Sequence, residues 1–144
     1  KTLMCLDIGG NKTGVAFSDP SKKFSLASKV IRAKKTNLII QIKQTLDMYE
    51  ISGIIVGLPK DDDSSLNKKC QSIKDITKNL DFLLIDNKIN LPIYFWDEGY
   101  SSLEALDNIK VIVKKSKSQK KIVDKFAAKV ILQDFLNYIN NKDE

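Results

Sequence analysis

The order in which apolar runs occur constrains this chain more than any other feature. Three strand-length runs, 3–8, 15–18 and 25–31, crowd into its start, whereas the next two, 53–56 and 93–96, each follow a stretch with helical periodicity. Strands joined by a few residues pair as antiparallel hairpins, and strands joined through a helix return parallel. In the first helical stretch Leu38, Ile39, Ile42, Leu46 and Tyr49 recur after Thr36 and Asn37, both good N-cap types. A second helix is expected from about Asn67 towards Leu80, with Ile73, Ile76 and Leu80 inward and an ambiguous continuation through 82–85. Ser101 with Glu104 reads as a capping box opening a helix that carries Leu103, Leu106, Ile109 and Val113. The last helix has a wide apolar stripe: Ile122, Val123, Phe126, Ala127, Val130, Ile131 and Leu136. The order β-β-β-α-β-α-β-α-α predicts an α/β fold with one mixed sheet, antiparallel over three strands and parallel afterwards, covered by helices on both faces. The expected strand order is 3-2-1-4-5.

A chain of 144 residues, 42% of them hydrophobic, can bury the core of one domain, here taken as 1–144. Lys and Arg outnumber Asp and Glu by 24 to 18, a net charge of +6, and every basic residue but Arg32 is a lysine. That balance favours an anionic partner, nucleic acid first, against the plainer alternative of a lysine-rich solvated surface. The absence of histidine excludes Ser-His-Asp and Cys-His nucleophiles, histidine bases and imidazole zinc sites. Cys5 falls in the first strand and Cys70 in a helix, so both are expected to be reduced. No apolar run is long enough for a membrane span, and a cytoplasmic protein is expected. Any catalysis must come from carboxylates, lysines, hydroxyls and a bound metal.

Three acids stand out. Asp7 ends the first apolar strand, and the chain turns at once through Gly9, Gly10 and Asn11 into the second. An ionised carboxylate beside a core is costly unless paired, hydrogen-bonded or metal-bound; the bland alternative is a cap on the glycine turn. Glu98 closes the strand 93–97, at the strand end where open α/β sheets place their ligands. Asp124 is expected in the first turns of the last helix, where the helix dipole alone could explain it. Three oxygen donors from separate elements suit Mg2+ or Mn2+ rather than zinc. Such ions can activate water and stabilise a leaving oxygen in phosphodiester hydrolysis.

Taken together, Leu6-Asp7-Ile8-Gly9-Gly10-Asn11-Lys12-Thr13-Gly14-Val15-Ala16-Phe17-Ser18-Asp19, Val56-Gly57-Leu58-Pro59, Trp96-Asp97-Glu98, Val123-Asp124-Lys125-Phe126-Ala127-Ala128 and Ile131-Leu132-Gln133 resemble the successive motifs of the YqgF family. The resemblance spans nearly the whole chain. It implies a ribonuclease-H-like fold and a nuclease described either as Holliday-junction-resolvase-like or as maturing the 5′ end of precursor 16S ribosomal RNA. It also implies Asp7, Glu98 and Asp124 as catalytic, metal-binding acids. The chain departs from the family pattern at Gly99, where an arginine usually stands, and at Thr13, where a basic residue is common. Lys12 and Lys60 are the nearest replacements, although lysine lacks the bidentate fork of arginine. In the family the loop after Pro59 borders the site, which adds Lys60, Ser64 and Ser65 as substrate contacts.

The resemblance makes structured RNA the favoured partner, since sequence alone does not separate RNA from DNA. Branched DNA is possible, but resolving a junction needs two sites, and the sequence announces no dimer interface beyond a monomer or weak homodimer. Two other readings compete. The glycine turn is also similar to the first phosphate loop of actin-like ATPases and sugar kinases, which use two such lobes. Gly99 would suit a weakened domain that only binds RNA or a partner in transcription or ribosome assembly. Between the last two helices, Lys114, Lys115, Lys117, Lys120 and Lys121 form a tract without apolar anchors. A mobile loop contacting phosphates is expected there, against a merely solubilising charge run. Tyr94 and Trp96 could stack on bases but are better read as packing. The run 61–63 reads as a solvated loop, and Asp97 as a turn residue or a supporting acid.

Overall fold

The computed structural model describes residues 1–59, 64–97 and 116–142, with side chains at all of these except 27, 35, 64–67, 116–125 and 142. Within them the chain forms β1 (Thr2–Ile8), β2 (Lys12–Ser18), β3 (Ser25–Arg32), α1 (Lys35–Met48), β4 (Ile51–Leu58), α2 (Ser64–Asp86), β5 (Ile93–Asp97) and α3 (Ser116–Lys142). The strands make one sheet in the order β3-β2-β1-β4-β5. β1 pairs antiparallel with β2, and β2 with β3, while β4 lies parallel between β1 and β5. Order and direction both match the expectation, because connection length alone separates hairpins from crossovers.

The central strand is apolar on both sides, and its alternation sorts the core into two layers. Met4, Leu6 and Ile8 join Val15 and Ile31 beneath Leu38, Ile42 and Leu46 of α1 and Ile73, Ile76, Leu80 and Leu84 of α2. Leu3 and Cys5 join Ala16 and Ile55 beneath Ala128, Ile131, Leu132 and Leu136 of α3. Helices thus cover both faces. Trp96 meets the Phe135 ring edge-on at 5.5 Å and Tyr138 at 5.2 Å, while Tyr94 stacks on Phe135 at 6.2 Å. These two aromatics serve packing. Cys5 and Cys70 are buried and form no disulfide. No helix among the described residues is long and apolar enough to cross a membrane.

The bounds of all three helices differ from expectation. α1 begins at Lys35 behind Lys34, with no side-chain cap, rather than after Thr36 and Asn37. The chain leaves β3 at Arg32 and must bring Leu38 onto the sheet at once, and burying that stripe outweighs the roughly 1 kcal/mol of a polar cap. α2 extends beyond both expected ends, so 82–85 continue the helix and Leu84 joins the core. The lysine tract is not a mobile loop from Ser116 onward, because α3 starts there. Lysine and glutamine lose little side-chain freedom in a helix, and adding turns to one already nucleated by the sheet is inexpensive. The helix expected over 101–113 lies outside the described residues.

Candidate active site

Asp7 is the last residue but one of β1, and the alternation that buries Leu3 and Cys5 beneath α3 puts Asp7 on that same face. It is half-buried. Its partner on β2 is Gly14. On β4 its neighbour is Gly57, one residue past the Val56 that pairs with Leu6, and Gly57 in turn pairs with Trp96. The carboxylate therefore sits in a row with a glycine on either side, and neither strand neighbour sets a side chain beside it. Among the described residues no cation or hydrogen-bond donor pairs with it.

The turn beyond β1 is fixed by close approach. The Gly9 N–H donates to the Lys12 carbonyl at 2.8 Å, and a Cβ at Gly9 would come within 2.7 Å of that oxygen. Only glycine closes the turn so tightly; Gly10 is under no such constraint, since a Cβ there would meet nothing within 4 Å. The result is a cleft of about 400 Å³ bounded by Asp7, the turn 8–11, Lys12, Gly14 and Lys69 of α2. A carboxylate and two ammonium groups share this space. That arrangement can bind a cation and a phosphate side by side.

The structure brings Asp7 and Lys12 to one cleft and adds Lys69, for which the sequence carried little signal. Glu98, Lys60, Lys114 and Lys115 lie outside the described residues, as do 61–63 and Gly99. Ser64 is the first residue of α2, and Lys117, Lys120, Lys121 and Asp124 are on α3. Asp124 stands about two turns past Ser116, beyond the reach of the helix dipole, so that explanation for it falls away. Thr13 is not a cleft residue: it pairs with Ile8 and is fully buried on the α1 and α2 side. Asp97 ends β5 as an exposed residue opposite Leu58, on the other face from Trp96 and Asp7. The only signal for Lys69 was its place before the inward-facing Cys70. Which strand end that helix start would meet depended on the sheet order.

Among the described residues no three acidic, cysteine or histidine side chains form a metal-binding group. Cys5 and Cys70 are buried in the core. The described donor in the cleft is the Asp7 carboxylate, a hard oxygen ligand with no partner among the described residues, which fits a hard divalent cation.

A family model described as "RuvX: Holliday junction resolvase" matches residues 1–138. A protein of Mycoplasma mobile named "Putative pre-16S rRNA nuclease" is 39% identical over 135 residues, covering 92% of this chain and 89% of its own. One of the same name from Halothermothrix orenii is 37% identical over 142 residues, covering 96% of each. Among solved structures, T. thermophilus RuvC in complex with a Holliday junction substrate superposes with a TM-score of 0.58 at 12% identity, covering 96% of this chain and 95% of that one. A second Thermus thermophilus RuvC structure gives 0.51 at 9% identity, covering 97% of each chain. The sheet order and the RuvC likeness make the fold ribonuclease-H-like.

Proposed function

The chain belongs to the RuvX family of Holliday junction resolvases, and on that premise we propose that it is a metal-dependent endonuclease acting in 5′-end maturation of precursor 16S ribosomal RNA. Residues 1–144 act as one nuclease domain in the cytoplasm. The observation that carries this reading is the Asp7 carboxylate, set between two glycines at the end of the central strand, in a cleft it shares with Lys12 and Lys69. A nuclease must hold a cation and a polyanion together, and this cleft offers a group for each.

Asp7, Glu98 and Asp124 are the residues that would hold Mg2+ or Mn2+. Two features support the set. β5 ends at Asp97, one residue before Glu98, beside Leu58 at the same sheet edge as Asp7. The far half of α3 is tied to the β2–β3 hairpin: Ser25 Oγ donates to the Lys129 carbonyl at 2.7 Å, and Asn140 donates to the Lys22 carbonyl at 3.0 Å. Those contacts head away from the edge where β1 ends, which supports Asp124, earlier in the helix, as the third member of the set. The ion when bound supplies activation of the attacking water and neutralisation of charge on the leaving oxygen. Lys12 counters the charge of a neighbouring phosphate. Lys60, Ser64 and the lysines at 114, 115, 117, 120 and 121 supply affinity along the backbone of the RNA.

The test is Asp7→Asn. The change removes the ligating charge but keeps the shape of the side chain, so cleavage of a structured RNA with manganese should vanish while the circular dichroism spectrum is retained. Equal cleavage by parent and variant would refute the assignment.

A further inference from the structure

We propose that Lys69 is the residue that seats a substrate phosphate beside Asp7, an assignment that rests on the nuclease reading and names the group that positions its substrate. Lys69 reaches the cleft from α2, whereas every other lining residue comes from β1, β2 or the turn between them. Its backbone is held firmly. The next residue, Cys70, is buried and donates its thiol to the Pro59 carbonyl at 3.3 Å, just past the end of β4. One turn on, Ile73 is 2% exposed within the core. The start of α2 is thereby fixed to the strand next to β1, while the Lys69 side chain is itself exposed. A cation delivered from α2 to the cleft offsets the repulsion between the Asp7 carboxylate and an incoming phosphate.

Lys68 provides the internal contrast. It carries the same charge one residue earlier, yet successive helical residues point about 100° apart. Lys68 accordingly lines a different depression, between α1 and α2, with Thr36, Ile39, Gln71 and Asn79. General attraction of RNA to a basic surface would make the two lysines equivalent. A seated phosphate makes only Lys69 matter.

The experiment compares Lys69→Ala, Lys68→Ala and Lys69→Arg, each alone and combined with Asp7→Asn, on a hairpin RNA with a single-stranded tail. In the Asp7→Asn background, where the RNA stays intact, Lys69→Ala should lower the log-log salt slope of binding by about 0.7 to 0.9, the value of one phosphate. Lys68→Ala should leave it unchanged. In the cleaving background with manganese, Lys69→Ala should raise KM about tenfold, as expected for one charge-assisted contact, and change kcat by less than about twofold. Lys69→Arg should restore both. Equal effects at positions 68 and 69, or none at 69, would overturn the assignment. Absence of cleavage by the parent together with the slope change at 69 alone would defeat the nuclease reading and leave the phosphate seat standing. Asp7-dependent cleavage with unchanged slopes would do the reverse.

Discussion

Thr13 shows how far a single side chain can depart from a motif-based reading. A basic group at this position would have to enter the core, because Thr13 is 0% exposed, pairs with Ile8 and shares its face with Val15. Its hydroxyl has no hydrogen-bond partner among the described residues. A buried unpaired hydroxyl costs stability, so Thr13→Val, which keeps the branched shape suited to a strand, should raise the unfolding free energy by about 1 kcal/mol in urea titrations. A loss of stability would reveal a partner for the hydroxyl. Asp19, in the turn between β2 and β3, is the opposite case. The Ser21 hydroxyl donates to its carboxylate, and the main-chain N–H groups of Phe24, Lys23 and Ser21 do so at 2.7, 2.9 and 3.2 Å. Led by the Ser21 hydroxyl, these bonds lower its pKa from the ordinary 3.8 to about 2. A depressed folded-state pKa adds stability that is present above the ordinary value and is lost as pH falls through the folded one. The stability difference between parent and Asp19→Asn should therefore hold steady above about pH 4 and shrink towards about pH 2. A difference independent of pH would show that the carboxylate charge contributes nothing to the turn.

At the scale of elements, the starts of α1 and α3 share a cause. Local signals favoured Thr36 and Asn37 as caps and left the lysine tract without anchors, yet α1 and α3 begin where the sheet needs them, at Lys35 and Ser116. A helix nucleated by burial of Leu38 or Ile131 extends into whatever neighbouring sequence tolerates it. Positions 117, 120 and 121 recur at helical spacing, so under the proposed function lysines there would meet a nucleic-acid backbone from a helix rather than a flexible strap. Replacing all three with serine should lower the log-log salt slope of RNA binding by roughly two to three units while changing cleavage at saturating RNA much less. An unchanged slope would assign the tract to solubility.

For the molecule as a whole, number of sites separates the two substrates associated with this fold. A four-way junction is two-fold symmetric and is resolved only by paired incisions, whereas one cleft is enough to trim an RNA end. With a monomer or weak homodimer expected, dilute protein should cut a hairpin RNA yet leave at most a single nick in a four-way junction, as read on denaturing gels beside a sedimentation measurement. Paired incisions at monomeric concentrations would favour the resolvase alternative. The sequence by itself specified the succession of strands and helices, the antiparallel-then-parallel sheet and the position of Asp7 at a strand end beside a glycine turn. Those properties are written in residues two, three or four apart and in the lengths of connections. Only the tertiary structure decided that Thr13 belongs to the core and that Lys69 reaches the cleft. Both depend on which face of a strand and which helix start meet across a sheet, a long-range packing outcome that local periodicity does not encode.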